Sequence, residues 1–161
     1  MIRRLTSRDA AELARLLVAN REFLEPFDPV RPDSYFTTRG QRSHIRQREH
    51  FFAILDDEDI AGTIALSNVV HGAFRNANVG YWVDAARNGR GLATRAVGDA
   101  VEYAFRDLGL HRLEAGTLID NVASQRVLEK NRFTRIGVAP RYLHIGGAWR
   151  DHVLFQRTVE D

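Results

Sequence analysis

No cysteine occurs anywhere in the 161 residues, which excludes a disulfide framework, a thiolate metal site and a cysteine nucleophile, and is compatible with a reducing, cytoplasmic location. Lysine is nearly absent too: of 23 basic residues only Lys130 is not arginine. A formal charge of +2 is too small to imply direct nucleic-acid binding. The longest apolar runs are about five residues, too short to span a membrane. The histidines show no His-x-x-x-His or His-x-x-Glu-His spacing, so no metal is expected. Repeats and low-complexity segments are lacking, which leaves one domain over 1–161.

What is present begins with a short strand, Ile2 to Leu5. Thr6 and Asp9 follow as a capping box with Asp in place of Glu. Leu13, Leu16, Leu17 and Asn20 then mark one helical face. The basic start resembles a transit peptide superficially, but Asp9 and Glu12 oppose that reading. Pro26, Pro29 and Pro32 forbid a continuous helix from Asn20 to Thr38. Phe23, Leu24, Phe27, Tyr35 and Phe36 make that loop rich in large side chains, to pack on the core or to wall a pocket. Residues 39 to 50 have helical composition, with Arg39, Arg42, Arg46 and Arg48 on a solvated face or against an acidic partner. Phe51 to Leu55 and Ile60 to Ser67 form a hairpin around an acidic turn, and Ala77 to Val83 is the next strand.

The stretch from 78 to 108 reads strand, glycine-punctuated turn, helix. Such a turn leaves unpaired N–H groups at a helix N-terminus, a ready site for phosphate oxygens. The turn has no lysine for a Walker A loop, and Thr94 stands where a dinucleotide fingerprint needs its third glycine. The apolar spacing from Ala93 to Leu108 gives a long helix, with Gly109 at its C′ position. A strand at Arg112 to Leu118, a helix Val122 to Lys130 capped from Asp120-Asn121, and a closing hairpin over 133–157 complete the chain. The order predicts a mixed α/β sheet.

Asn88-Gly-Arg-Gly91-Leu-Ala93 resembles the Gln/Arg-x-x-Gly-x-Gly/Ala loop of the GNAT superfamily of acyl-CoA N-acyltransferases. Asn121-x-x-Ser124-x-x-Val127-Leu-Glu-Lys-Asn-Arg-Phe133, the tail Tyr142-Leu-x-Ile-x-Gly147-x-Trp149-x-Asp151-His152 and the segment from Asn20 to Val30 resemble its RimJ/RimL branch. The resemblance implies about seven strands, mostly antiparallel, with a splayed central parallel pair and helices on both faces. It implies acetyl-CoA as donor. The pantetheine would lie along Gly80 and Tyr81, Trp82 and Val83, and the pyrophosphate on Asn88, Gly89, Arg90, Gly91, Leu92, Ala93 and Thr94, with Lys130 also on the cofactor. A backbone N–H near Trp82 would stabilise the oxyanion, and Asn121 and Ser124 would face the sulfur, Ser124 as proton donor. A homodimer is a further implication.

Other branches carry a Glu and a Tyr as base and acid, and the matching positions here are Gly116 and Leu128. Arg141 replaces an acidic residue found in some relatives, and Arg132 replaces the usual glycine before Phe133, so Asn131 is expected to take the left-handed position instead. Asp151 and His152 are expected to form a hydrogen-bonded pair. Glu114, His71 and Glu22 are candidates for a water-mediated base. Weak proton chemistry suits an N-terminal amine, whose pKa of about 7.7–8.0 leaves roughly 10–20% free base at pH 7, over a lysine. The expected acceptor is therefore a protein N-terminus, with that of a ribosomal protein as the candidate the resemblance offers. A small amine (polyamine, amino acid or aminoglycoside) is the alternative, as is a non-catalytic acyl-CoA-binding module.

Overall fold

The computed structural model describes residues 1–159. Seven strands, β1 (Ile2–Arg4), β2 (His50–Asp56), β3 (Asp59–Val70), β4 (Asn76–Val83), β5 (Arg112–Leu118), β6 (Thr134–Ile145) and β7 (Ala148–Thr158), join in one sheet of order β1-β2-β3-β4-β5-β7-β6. Only β4 and β5 run parallel. The helices are α1 (Ala10–Ala19), α2 (Arg21–Leu24), α3 (Thr38–Arg46), α4 (Leu92–Glu102) and α5 (Val122–Lys130). This is the mixed, mostly antiparallel architecture the motif order implied.

Strand alternation divides the core between the two faces. Phe52 and Ile54 of β2, Val79 and Val83 of β4 and Leu113 and Ala115 of β5 pack with Ala96, Val97, Ala100 and Val101 of α4 and with Leu128 of α5. On the other face Phe51 and Ala53 meet Leu13 and Leu17 of α1, Leu24 of α2 and Ile45 of α3, with Trp82 packed against them.

Local chemistry sets the boundaries. The Thr6 N–H donates to Asp9 Oδ2 at 2.7 Å and the Thr6 hydroxyl accepts from the Arg8 N–H, the expected capping box. Between α1 and α3 only the four residues of α2 are α-helical and Asp33–Phe36 is a 3-10 turn, as three prolines require. The helical composition over 39–50 stops short at Arg46, because His50 already enters β2. The long helix is α only to Glu102 and widens into a π turn, Tyr103–Asp107, before Gly109 at φ +62°. In that turn the Tyr103 hydroxyl is held by Arg4 Nη2 at 2.9 Å and His50 Nδ1 at 3.0 Å.

Two expectations are corrected. Arg132, not Asn131, adopts the left-handed conformation, at φ +60°; Asn131 stays at φ −93°. The reason is that the Asn131 side chain is buried and bound, its Nδ2 donating to Thr94 O and Val127 O, both at 3.0 Å. Asp151 and His152 do not bond to each other. Neighbours on a strand point to opposite faces: Asp151 Oδ1 accepts from the Arg141 N–H at 2.8 Å, whereas His152 Nδ1 donates to Arg150 O at 2.9 Å.

The closing hairpin turns through Gly146 and Gly147, both at positive φ, as a two-residue primed turn demands. Its ladder breaks between Ala139 and Leu143. Pro140 has no N–H to pair there, Arg141 takes φ +50°, and the Asp151 carboxylate satisfies the amide the ladder releases.

Candidate active site

The β4/β5 ladder covers only Asn76 to Asn78 against Arg112 to Glu114, yet β4 runs on to Val83 and β5 to Leu118. The two strands therefore part, leaving one side of Val79 to Val83 open. Asp84 N–H donates to Ala61 O at 2.7 Å, and the alternation of an antiparallel ladder then turns the Trp82 amide towards Thr63 of β3. Of the amides around Trp82, those of Tyr81 and Val83 face the opening. Gly80 adds no bulk, and nothing lies within 4 Å of where its Cβ would be.

The glycine turn stands at the end of the opening. Gly89 and Gly91 have φ +79° and +75°, a conformation that costs other L-residues about 1–2 kcal/mol. Gly91 caps α4, and the Arg95 N–H is the first to reach back, to Gly91 O at 3.1 Å. The amides of Leu92, Ala93 and Thr94 consequently have no intrahelical partner. The Asn88 N–H turns inward to Ala85 O at 3.4 Å. The Arg90 guanidinium is held by Asp56 of the acidic β2–β3 turn, while Arg87 pairs with Asp56 and Asp59 at 3.3 Å and Asp84 at 3.7 Å. Sequence reasoning overlooked Arg95, whose Nη1 arches back to Arg90 O at 3.2 Å and which has no carboxylate partner among the described residues; its one-turn offset from Gly91 was the available signal. The Asn131 bond to Thr94 brings the C-terminus of α5, with exposed Lys130, beside this first turn.

Ser124 meets the opening from α5. Its hydroxyl lies 2.8 Å from the Tyr81 hydroxyl, which also donates to Ser124 O at 3.2 Å. Burial pushes the Tyr81 phenol up to about 12, against the opposing effect of the Ser124 bond. Asn121 caps α5 through Oδ1, which accepts from the Ser124 N–H at 3.1 Å. Tyr81, Ser124 and Asn121 thus lie together.

The other side of the sheet is built differently from what a carboxylate base would need. Gly116 faces away from α4 and α5, and a Cβ there would meet Leu154 at 3.4 Å and His152 Cδ2 and Tyr142 Cε1 at 3.6 Å. The Tyr142 and His152 rings lie 5.6 Å apart. Leu128 is fully buried. Glu114 is tied to Arg112 at 2.8 Å. His71 lies in the turn between β3 and β4, at the end of β4 away from the opening, and Glu22 is exposed on α2. The loop after α1 and the β6–β7 turn close on each other: Gly146 N–H donates to Asp28 O at 3.0 Å, and Phe23, Phe27, Tyr142 and Trp149 remain exposed around them. Among the described residues no cluster of side chains could hold a metal ion, and no helix is long and apolar enough to cross a membrane.

A family model described as an acetyltransferase (GNAT) domain matches residues 1–134. The chain is 40% identical to the probable N-acetyltransferase YjcK of Bacillus subtilis, over 94% of this chain and 89% of that protein. The crystal structure of the ribosomal-protein-S5-alanine acetyltransferase from Vibrio fischeri superimposes with a TM-score of 0.94 at 32% identity, covering 99% of this chain and 93% of the other. Mycobacterium smegmatis RimJ, solved in complex with CoA-disulfide, gives 0.92 at 33% identity, covering 98% and 80%.

Proposed function

The chain belongs to the GNAT acetyltransferase family, and on that premise we propose that it is an acetyl-CoA-dependent N-acetyltransferase whose acceptor is a protein N-terminal α-amine. The observation that carries the donor half is the parting of β4 from β5 directly before a turn that presents amides at the N-terminus of α4. Left-handed Gly89 and Gly91 set the backbone so that phosphate oxygens can approach. Asn88 to Thr94 would hold the pyrophosphate, with Arg95 and Lys130 as its cations and Arg90 kept aside by Asp56. The open edge at Gly80 to Val83 would take the pantetheine. The bound donor supplies a thioester whose carbonyl carbon gains the C–N bond as its C–S bond breaks.

The protein's own groups meet that chemistry at three points. An amide of Tyr81 or Val83, beside Trp82, donates to the oxygen on which charge develops, an interaction that strengthens in the transition state. Ser124, oriented by the neutral Tyr81 phenol and by its place in the first turn of α5, donates a proton to the departing sulfur. Asn121, whose Oδ1 is used by the cap, keeps its Nδ2 for the same region. The acceptor enters from the side of Trp82, between the loop after α1 and the β6–β7 turn.

An N-terminal amine suits a site with Gly116 and Leu128 in place of strong acid and base groups, and the Vibrio fischeri structure bears the name of an enzyme that modifies a ribosomal-protein alanine. The test is CoA release from acetyl-CoA with peptides bearing N-terminal Ala or Ser, compared with polyamines, amino acids and aminoglycosides. Turnover confined to peptides supports the reading. Acetylation mapped solely to lysine side chains overturns it, and tight CoA binding without acetylation of any amine would leave a binding module.

A further inference from the structure

We propose that His152 is the proton acceptor for the incoming amine, taking over from β7 the task that the glycine at 116 leaves open on β5. This rests on the reading of the site as an amine acetyltransferase. Leu113, Ala115 and Thr117 of β5 point towards α4 and α5, so Gly116 and Leu118 point the other way, to the face where Trp82 lies. The β5/β7 register sets His152 opposite Leu118 and Leu154 opposite Gly116, which puts the imidazole on that same face. Its Cδ2 edge is 3.6 Å from where a Cβ on Gly116 would stand. A side chain on residue 116 would also meet Leu154 Cδ2 at 3.4 Å and Tyr142 Cε1 at 3.6 Å, so the imidazole forms one wall of the ground such a side chain would occupy.

The tautomer is fixed by the opposite edge. Arg150 O can only accept, so the 2.9 Å contact with Nδ1 makes that nitrogen the N–H, and the neutral ring presents Nε2 as a lone pair. Among the described residues Nε2 has no hydrogen-bond partner. His152 is 3% exposed, with the Tyr142 ring against it, so the proton acceptor shares the sheet face of Gly116 and Leu118 with little access to bulk water. The titratable and charged residues that contact it are Tyr142 on β6, whose ring centroid lies 5.6 Å away, and Arg150 on its own strand, through the backbone carbonyl. Asp151 faces away and is engaged by the Arg141 N–H.

In the step assigned to it, Nε2 takes one proton from the substrate ammonium. The nitrogen lone pair so freed forms the new C–N bond as the C–S bond breaks; the second proton of the nitrogen replaces the one Ser124 gives to the departing sulfur, and the imidazolium returns its own proton to solvent.

His152→Asn is the informative variant, because asparagine keeps a donor for Arg150 O and has no basic nitrogen. With an N-terminal peptide, kcat/KM at pH 7 falls by about 10²–10⁴-fold. KM for acetyl-CoA stays unchanged, and the acid limb of the pH profile moves up to the amine's own pKa. Added imidazole restores part of the rate in His152→Ala. Should His152→Asn fold poorly, His152→Gln read in the same pH profile gives the same decision. Wild-type rate and an unmoved acid limb in the variant overturn the inference, as does a loss with an unmoved limb that imidazole leaves alone. If the wild type binds CoA and acetylates no amine, the proposed function itself fails and this inference with it.

Discussion

The Asn20 side chain donates from Nδ2 to Asp84 Oδ1 at 3.1 Å, across 64 positions of sequence. The same amide donates to Leu16 O at 2.9 Å and accepts from the Ala85 N–H at 2.9 Å, so its donors and its acceptor are all engaged in a nearly waterless place, 2% exposed. Asp84 closes β4 and opens the turn to α4, while Asn20 closes α1 and opens the loop proposed to wall the acceptor side. One buried amide joins the roots of both walls.

Asn20→Ala therefore strands partners on both sides, at about 1–3 kcal/mol for each buried group left unpaired. Stability by urea unfolding falls accordingly. The variant's KM for acetyl-CoA rises about tenfold, the equivalent of about 1.4 kcal/mol, because residues 85–91 lose their anchor. Asn20→Asp is worse at pH 7, with two carboxylates facing each other, and recovers in part on acidification. An unchanged KM for acetyl-CoA in Asn20→Ala would show that the anchor is structural only.

The Tyr81–Ser124 contact predicts a non-additive pair. Ser124→Ala removes the proposed proton donor and lowers kcat by about 10²-fold, with little effect on either KM. Tyr81→Phe leaves the serine in place but unoriented and has a smaller effect on kcat. Because the phenol acts through the serine, the double variant is no slower than Ser124→Ala alone. Additive losses would mean that the phenol touches the reacting atoms itself, and an undiminished kcat in Ser124→Ala would remove its role.

Much of this was legible from residue order. Glycines at 89 and 91, the Asn121 cap and the capping box at Thr6 are local signals, and each sits where local chemistry put it. Three features were not legible: tertiary bonds decide the first two, and the pleat of the strand decides the third. Asn131 tolerates a left-handed backbone better than Arg132, but its amide is claimed by Thr94 on another helix. Arg90 sits in the glycine turn proposed to hold phosphate, yet Asp56, 34 residues earlier, holds its guanidinium. Asp151 and His152 look paired in sequence, and the pleat sends them to opposite faces.

Arg132 gives a prediction on stability alone. Its φ of +60° costs about 1 kcal/mol that glycine avoids. Only its backbone is used in the turn, the N–H donating to Glu129 O at 2.9 Å. Arg132→Gly raises the melting temperature by about 2–4 °C and leaves kcat and both KM values unchanged. Asn131→Gly does the reverse, since it deletes the bonds to Thr94 and Val127. A less stable Arg132→Gly would mean that the arginine side chain outweighs the backbone cost.

His44 makes stability depend on pH below neutrality. Its ring lies edge-on between Tyr35 at 5.3 Å and Phe51 at 5.4 Å, and burial, then Arg48 and Arg31, push its pKa down to about 4 from 6.5. Above pH 6.5 the imidazole is neutral folded and unfolded, and contributes no pH dependence. Between 6.5 and about 4 the unfolded chain binds a proton that the folded chain refuses, so stability falls as pH falls. From pH 7.5 to 5 the loss from this group is about 1–2 kcal/mol, reduced for its partial exposure. The Asp28 carboxyl, raised by burial from its ordinary 3.8, works in the opposite direction, since the folded form holds its proton longer. Urea unfolding at pH 7.5 and pH 5 is the measurement. His44→Phe keeps a ring between Tyr35 and Phe51 without a titrating nitrogen, and its stability changes less between the two pH values. An equal decline in wild type and His44→Phe would place the acid sensitivity elsewhere.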